Sequence, residues 1–372
     1  MTVRVEKNIP LDVHTTLHVG GVAAYFHRLT DEQVLPELSA FAQEHKVPIW
    51  VLGGGSNVLI DDGVIGRLVI KNELTGVSFE ATADDAIVRV TAAAGEPWDA
   101  FVAATVERDL SGLENLSGIP GTVGAAPIQN INAYGAQVAD VIEAVRVYDV
   151  QAGVERVLTA AECAFGYRDS TFKHAAGADL VVLEVVFLLT KAAVVNLQYR
   201  SSSQSIARYL EEQGVAEPGL ADIRAAILHV RSNIGMLAGQ FRSAGSFFKN
   251  TIVSKKQFAE IQSVVHETFS ELDEKMSPWH WEVSEAEEKI STAFLLECSA
   301  YNKRTYGEKR YRGVVGISPR HSLSVVTEVG ATASDVLDFV TLIIRSVEST
   351  FGITIEPEVH FVLSNDREKK YG

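Results

Sequence analysis

The sequence has little of what several protein classes require. It contains two cysteines, Cys163 and Cys298, which are too far apart for a paired metal motif and give no disulfide framework, so both are expected to be reduced and buried. No run of about 20 apolar residues is present to span a membrane. The first eleven residues lack the apolar centre of a signal peptide. A soluble, cytoplasmic protein without membrane insertion is therefore predicted.

Positive charge is also scarce. The chain has 33 lysines and arginines against 48 acidic residues, which gives a formal net charge of −15. Nucleic acid is therefore not expected as a partner. The ten histidines are scattered and predict no metal site. A phosphate group can still bind locally, because backbone N–H groups and a few arginines act at short range.

The length of 372 residues predicts more than one domain, because single cores usually stop growing below that size. Helices and strands in irregular alternation predict an α+β fold. The composition turns polar between Gln198 and Gly219, which indicates a boundary there. The predicted division is 1–70, 71–219, 220–363 and a tail at 364–372.

Apolar spacing predicts the principal elements. Helices are expected after Asp31, after Pro97, from Leu220 to Arg231, around 258–269, and from Val336 to Phe351, where Gly352 ends the helix. Strands are expected at 47–52, 67–70, 86–91, 144–150, 156–159, 179–190, 353–355 and 359–363. The strand at 179–190 is apolar enough to be buried on both faces.

Two glycine-rich stretches stand out. Residues 114–138 contain four glycines and two prolines and follow neither a strand nor a helix period. Glycine permits close backbone approach, and successive N–H groups in such turns bind anions. The run from Gly53 to Asn57 follows a predicted strand but is neither a dinucleotide fingerprint nor a P-loop. A long surface loop and an ordinary tight turn are the respective alternatives.

Three polar residues lie in short motifs flanked by aromatic, glycine or apolar residues. Arg168 lies between Tyr167 and Asp169, Ser246 precedes two phenylalanines, and Glu358 enters an apolar strand. Each has an ordinary alternative: a structural arginine, a turn or cap serine, and a solvated strand face. The glycines near Ser246 do not form the nucleophile elbow of a hydrolase.

In combination, these motifs resemble the UDP-N-acetylenolpyruvoylglucosamine reductases, the FAD-dependent enzymes that make the muramate of bacterial peptidoglycan. The resemblance is to the longer class, in which a tyrosine closes on the substrate. It implies an FAD-binding unit of the vanillyl-alcohol-oxidase (PCMH) type in two subdomains, 1–70 and 71–219, and a carboxy-terminal α+β substrate domain. The matching segments span nearly the whole chain: His14 to Gly21, the two glycine-rich stretches, Tyr167 to Ser170, Ala244 to Asn250, and Glu356 to Val359.

The resemblance also implies a reaction and its groups. NADPH is the co-substrate, FAD is held non-covalently, UDP-N-acetylglucosamine enolpyruvate is reduced, and a monomer is expected. Ser246 gives the proton, while Arg168 and Glu358 stabilise the enol intermediate. Because a serine hydroxyl is a poor acid alone, this role requires a cationic, dehydrated setting.

The remaining implied contacts fall into two groups. Those to the substrate are Tyr199, Asn250 and Lys289. Those to the cofactor are Gly53, Gly54, Gly55, Ser56, Asn57, Gly118, Ile119, Pro120, Gly121, Gly124, Gly135 and Arg231.

Four positions depart from the family pattern, one of them Trp281, which stands where the longer class has a tyrosine near the substrate. Ile234, Thr327 and His360 stand where lysine, asparagine and arginine are usual, which affects contacts more than the reaction because the catalytic positions are filled. Two other functions stay open: another flavin oxidoreductase of the same fold, and a non-catalytic UDP-sugar or flavin-binding module. The first is weakened by the lack of an obvious histidine or cysteine for covalent flavin attachment.

Overall fold

The computed structural model describes residues 3–191 and 206–364. Contacts divide the chain into two compact units, each described by itself below. The boundaries predicted near residues 70 and 219 stay a prediction, and the contacts add that two short early segments fold with the carboxy-terminal part. The first unit comprises 1–9, 23–55 and 66–238, and the second comprises 10–22, 56–65 and 239–372.

The described strands and helices are numbered in chain order. The strands are β1 (Glu6–Pro10), β2 (Val22–Leu29), β3 (Ile49–Leu52), β4 (Val58–Ile60), β5 (Val64–Asn72), β6 (Val77–Ala81), β7 (Ile87–Ala93), β8 (Asn132–Ala133), β9 (Ala136–Gln137), β10 (Ile142–Asp149), β11 (Val154–Thr159), β12 (Leu180–Thr190), β13 (Thr251–Ser254), β14 (His280–Glu282), β15 (Glu287–Ile290), β16 (Val315–Ile317), β17 (Val325–Thr327) and β18 (His360–Val362). The helices are α1 (Leu35–His45), α2 (Trp98–Val106), α3 (Ile206–Glu212), α4 (Leu220–Asn233), α5 (Lys255–Thr268), α6 (Ser270–Met276), α7 (Thr292–Glu297), α8 (Lys303–Tyr306) and α9 (Ala333–Phe351).

The described residues of the first unit form two larger sheets and the short pair β8-β9. One has the strand order β1-β2-β5-β3, with β3 parallel to β5. The other has the order β11-β10-β12-β7-β6, and the ladders between its neighbouring strands are antiparallel. Strand β12 is buried on both faces, as predicted: Leu183 joins the core around α1, while Val185 and Phe187 join the core around α2.

The second unit is built around α9. Its apolar residues repeat at helical spacing and enter one core with the short strands. Thr332 caps the helix amino terminus, and Gly352 ends the helix in the left-handed conformation, as predicted. The strand sets of this unit are β13-β15-β14, the antiparallel pair β16-β17 and the parallel pair β4-β18.

The strand predicted at 353–355 does not form. Ile353 and Ile355 are buried in the core, but their backbone joins no ladder, and the first pairing beyond them is an isolated bridge between Phe248 and Pro357. The apolar residues at 353–355 therefore indicate burial rather than strand pairing. Pro357, which follows them, lacks the N–H group that a regular ladder requires.

Both cysteines are free and buried, which confirms that prediction. Burial raises the pKa of the Cys163 thiol to about 11 and that of Cys298 to about 12, so both thiols stay protonated near neutral pH. Within residues 3–191 and 206–364, no helix combines the length and the apolar character needed to cross a membrane.

Candidate cofactor and substrate sites

In the first unit, the two glycine-rich stretches meet backbone to backbone. The turn that follows β3 brings Gly54 so close to Gly121 that a Cβ atom at Gly54 would lie 2.7 Å from the Gly121 Cα atom. A Cβ atom on Gly53 would lie 2.8 Å from the Thr122 hydroxyl. Two loops that meet without side chains between them form a backbone cradle, and the chain fits the pyrophosphate of FAD on that count.

Gly118 is held on both sides by charged side chains. Its N–H group donates to the Asp99 carboxylate at 2.6 Å, and its carbonyl accepts from the Arg231 Nε atom at 3.0 Å. Arg231 is 7% exposed and also donates to the Met236 carbonyl. Burial lowers the pKa of Arg231, an effect that Tyr134 and Asp99 oppose. This guanidinium therefore places a buried positive charge against residues 114–138, the predicted cofactor loop.

Asp99 is a site residue that sequence reasoning missed. The guanidinium of Arg224, on α4, grips it with two hydrogen bonds of 2.6 and 2.9 Å. Burial by itself raises the pKa of Asp99, but the bonds from Arg224 and from the Gly118 N–H outweigh it and leave the pKa below its ordinary value. An aspartate in the first turn of a helix is common, so the sequence carries no signal for this role.

Other predicted cofactor residues lie in the same unit. Gly135 occupies the turn between β8 and β9 and lines a cavity of about 280 Å³. The neighbouring Tyr134 carbonyl accepts from the Asn115 amide, which ties this turn to the start of the loop. The N–H group of Gly124 donates to the Ala94 carbonyl, so it is used inside the protein. Ile119 and Pro120 follow Gly118 and are half-buried.

Arg168 is at the tip of a tight turn closed by Gly166 and Asp169. Its φ of +53° is unusual for a residue with a side chain, and such conformations concentrate at functional sites. The turn is fixed to the central loop, because the Ser170 hydroxyl donates to the Ile128 carbonyl at 2.5 Å. Local contacts therefore fix the backbone of the turn that carries this arginine.

In the second unit, the structure brings Ser246 and Glu358 onto neighbouring segments of the chain. Phe247, which directly follows Ser246, connects the two segments: the Glu358 N–H group donates to the Phe247 carbonyl at 2.8 Å. The Phe247 N–H group donates to the Leu323 carbonyl, also at 2.8 Å. Gly245, immediately before Ser246, has a φ of +74°, so the turn requires glycine at that position.

The predicted site residues Ser56 and Asn57 belong to this second unit by their contacts. The Asn57 amide donates to the Glu358 carbonyl at 3.3 Å, and the Asn57 carbonyl accepts from His360 N–H. Asn57, predicted as a cofactor contact, is therefore a direct neighbour of the predicted catalytic glutamate.

The substrate residues Asn250 and Lys289 lie in and beside one small sheet. Asn250 precedes β13 and accepts from the Thr292 N–H group. Lys289 is the central residue of a row across β13, β15 and β14, with its Nζ atom 5.9 Å from the Trp281 ring centroid. The third predicted residue, Tyr199, lies outside the described residues.

Thr327 and His360, two of the other departures from the family pattern, have visible contacts in the second unit. The Thr327 hydroxyl donates to the buried Leu17 carbonyl at 2.5 Å, so it serves the packing of that unit. His360 opens β18, which pairs with β4. Ile234, in the first unit, forms the carboxy-terminal cap of α4. Among residues 3–191 and 206–364, no His, Cys, Asp and Glu cluster suited to a metal is found.

Comparison with known proteins agrees with this arrangement. Residues 23–158 match the model of an FAD binding domain, and residues 238–362 match the carboxy-terminal domain of UDP-N-acetylenolpyruvoylglucosamine reductase. The sheets and the glycine cradle of the first unit, together with the first match, define an FAD-binding flavoprotein.

Full-length relatives identify the family within that class. The UDP-N-acetylenolpyruvoylglucosamine reductase of Thermobifida fusca is 39% identical over 96% of this chain and 98% of its own length. That of Xanthomonas euvesicatoria is 35% identical over 96% of both chains. A crystal structure of the Thermus caldophilus reductase has the same fold, with a TM-score of 0.61 at 23% identity over 97% of this chain and 99% of its own. The protein belongs to the UDP-N-acetylenolpyruvoylglucosamine reductase family.

Proposed function

We propose that this protein is the FAD-dependent reductase that converts UDP-N-acetylglucosamine enolpyruvate to UDP-N-acetylmuramate with NADPH, in peptidoglycan precursor synthesis. The observation that carries the proposal is family membership over nearly the full length of both chains, with the predicted catalytic positions filled by Arg168, Ser246 and Glu358. We further propose that it acts in the cytoplasm, as a monomer.

The first unit supplies the cofactor site in this proposal. The glycine turns at 53–55 and 118–121 would hold the FAD pyrophosphate with backbone groups, and Arg231 adds positive charge behind them. When bound, the flavin supplies hydride transfer, which no side chain can provide. Asp99 and Arg224 keep the 118–121 turn in place.

The second unit supplies the proton. Reduction of the enolpyruvyl double bond adds a hydride to the methylene carbon and a proton to the neighbouring carbon, and negative charge develops beside the substrate carboxylate between the two events. We assign proton donation to the Ser246 hydroxyl. Arg168 and Glu358 stabilise the enol intermediate, the arginine by its charge and the glutamate by hydrogen bonding. Asn250 and Lys289 contact the UDP-sugar.

Steady-state turnover tests the proposal. The purified protein should be yellow and should oxidise NADPH only when UDP-N-acetylglucosamine enolpyruvate is present, with UDP-N-acetylmuramate as the product identified by mass spectrometry. An oxidase of the same fold would instead consume oxygen with another substrate. A binding module would retain FAD or the UDP-sugar without turnover. A protein that binds no FAD contradicts the proposal outright.

A further inference from the structure

Glu297, the last residue of α7, is a buried carboxylate to which the proposed reaction gives no role. It is 5% exposed and lies in the second unit. The Ser322 hydroxyl donates to one of its oxygens at 2.6 Å, and the Lys303 ammonium lies 3.1 Å from the same oxygen. Arg304 lies 3.7 Å from the other oxygen. A buried charge that is compensated this fully is costly to assemble, and removing one partner disrupts the whole group.

This carboxylate leads by short steps to Ser246. The Ser322 hydroxyl also accepts a hydrogen bond from the Lys303 N–H group, so it is bonded to both Glu297 and Lys303. The next residue, Leu323, offers the carbonyl that accepts the Phe247 N–H group at 2.8 Å. Phe247 directly follows Ser246 and is fully buried. The position of the Ser246 peptide is therefore set by the loop that Glu297 anchors.

We propose that Glu297 is a positioning residue for proton donation: through Ser322 it fixes the 318–324 loop, whose Leu323 carbonyl holds Ser246 in register with Glu358. This inference rests on the proposed function of Ser246. The backbone of Phe247 is held from both sides: its N–H group donates to the Leu323 carbonyl, and its carbonyl accepts from the Glu358 N–H group. When the Leu323 side loosens, the donor loses its alignment while Glu358 keeps its own backbone contact.

The test separates the two half-reactions by anaerobic stopped-flow spectroscopy of the flavin absorbance. We compare the wild type with Glu297→Gln, Ser322→Ala and the double variant. Because a displacement of about 1 Å can cost as much as 100-fold in rate, we expect each variant to be reoxidised by the enolpyruvyl substrate about 10-fold more slowly. Reduction by NADPH should stay within about twofold of the wild type, since that half-reaction needs no proton from Ser246. The Kd for FAD should also stay within about twofold, since the glycine turns at 53–55 and 118–121 lie in the first unit.

The double variant should be no slower than the slower single variant, because both changes break the same connection. Asp61→Asn is a matched control: this buried carboxylate of the same unit also accepts a serine hydroxyl, from Ser364, but that serine follows β18 rather than lying in the 318–324 loop. It should lower the thermal midpoint without slowing reoxidation.

Each outcome bears on a definite claim. Wild-type reoxidation rates in Glu297→Gln and Ser322→Ala, or additive losses in the double variant, overturn the positioning role. If Glu297→Gln does not fold, Ser322→Ala alone decides, since it deletes only a hydroxyl. A wild-type enzyme that the enolpyruvyl substrate does not reoxidise refutes the proposed function, and the positioning role with it. A wild type that reacts while its variants match it refutes the positioning role alone.

Discussion

Replacement of Asp99 tests whether the cofactor loop is held from outside the glycine-rich stretch. Asp99 accepts three hydrogen bonds, one from the Gly118 N–H group and two from the Arg224 guanidinium. Asp99→Ala removes all three, whereas Asp99→Asn keeps a neutral acceptor of the same shape. The two variants therefore separate the loss of the contact from the loss of the charge.

The expected loss of stability follows from those contacts. A hydrogen bond to a charged group contributes about 1.5–3 kcal/mol, and an unsatisfied buried donor costs a similar amount. The Arg224 side chain is 16% exposed but that of Asp99 is 41% exposed, so water replaces part of what is lost. We expect Asp99→Ala to lower the free energy of unfolding by about 2–3 kcal/mol and Asp99→Asn by about 1 kcal/mol.

The pH dependence has a definite sign. The pKa of Asp99 is lowered in the folded protein, so its charge stabilises the fold at neutral pH, and this contribution is lost as the pH falls through the folded-state pKa. The difference in unfolding free energy between the wild type and Asp99→Asn should therefore be constant around neutral pH. This difference in unfolding free energy should become smaller as the pH falls below 3.8, the ordinary pKa of an aspartate.

Urea denaturation and FAD titration of the apoprotein measure these effects. Because 1.4 kcal/mol corresponds to tenfold in affinity, we expect Asp99→Ala to raise the Kd for FAD about tenfold. Glu143→Gln is the control: Glu143 also accepts two hydrogen bonds from an arginine, Arg89, but contacts no residue of the cofactor loop through them. An unchanged Kd in Asp99→Ala, or an equal rise in Glu143→Gln, would refute the reasoning.

Two further predictions concern single contacts. Gly54→Ala should weaken FAD binding and lower the thermal midpoint, because its Cβ atom would lie 2.7 Å from the Gly121 Cα atom. Overpacking of this kind costs about 1–3 kcal/mol. A wild-type affinity for FAD in a titration would contradict the backbone cradle. Thr332→Ala should destabilise the protein by about 1 kcal/mol in urea denaturation, because the hydroxyl caps α9 and bonds Asp335. The same variant should raise the pKa of Asp335, which the Thr332 hydroxyl holds down; an unshifted carboxyl titration by NMR would count against the cap.

Long elements were predictable from the sequence because their signals are local. Helix α9 combines a sustained apolar period with a terminal Gly352, and β12 is a continuous apolar run. The short strands β13 to β17 have three or four residues of mixed composition, too few for a period to show. The false strand at 353–355 shows the converse, since its apolar residues are buried without a partner strand.

The candidate site was only partly predictable for a related reason. The glycine-rich stretches and the motif residues stand out in the chain, but the groups that hold them lie far away. Arg224 is 125 positions from Asp99, and no local pattern marks either residue. Glu297 likewise reaches Ser246 only through tertiary contacts of Ser322 and Leu323. Such roles depend on pairings that the fold creates.

The central claim is that this chain reduces an enolpyruvyl UDP-sugar with Ser246 as the proton donor. The most direct test is anaerobic single-turnover reoxidation of the NADPH-reduced enzyme by UDP-N-acetylglucosamine enolpyruvate, in the wild type and in Ser246→Ala side by side. The wild type should regain its flavin absorbance rapidly, and Ser246→Ala should do so slower by a factor of about 100 or more, although NADPH reduces both equally. Equal reoxidation rates in the two proteins would contradict the claim.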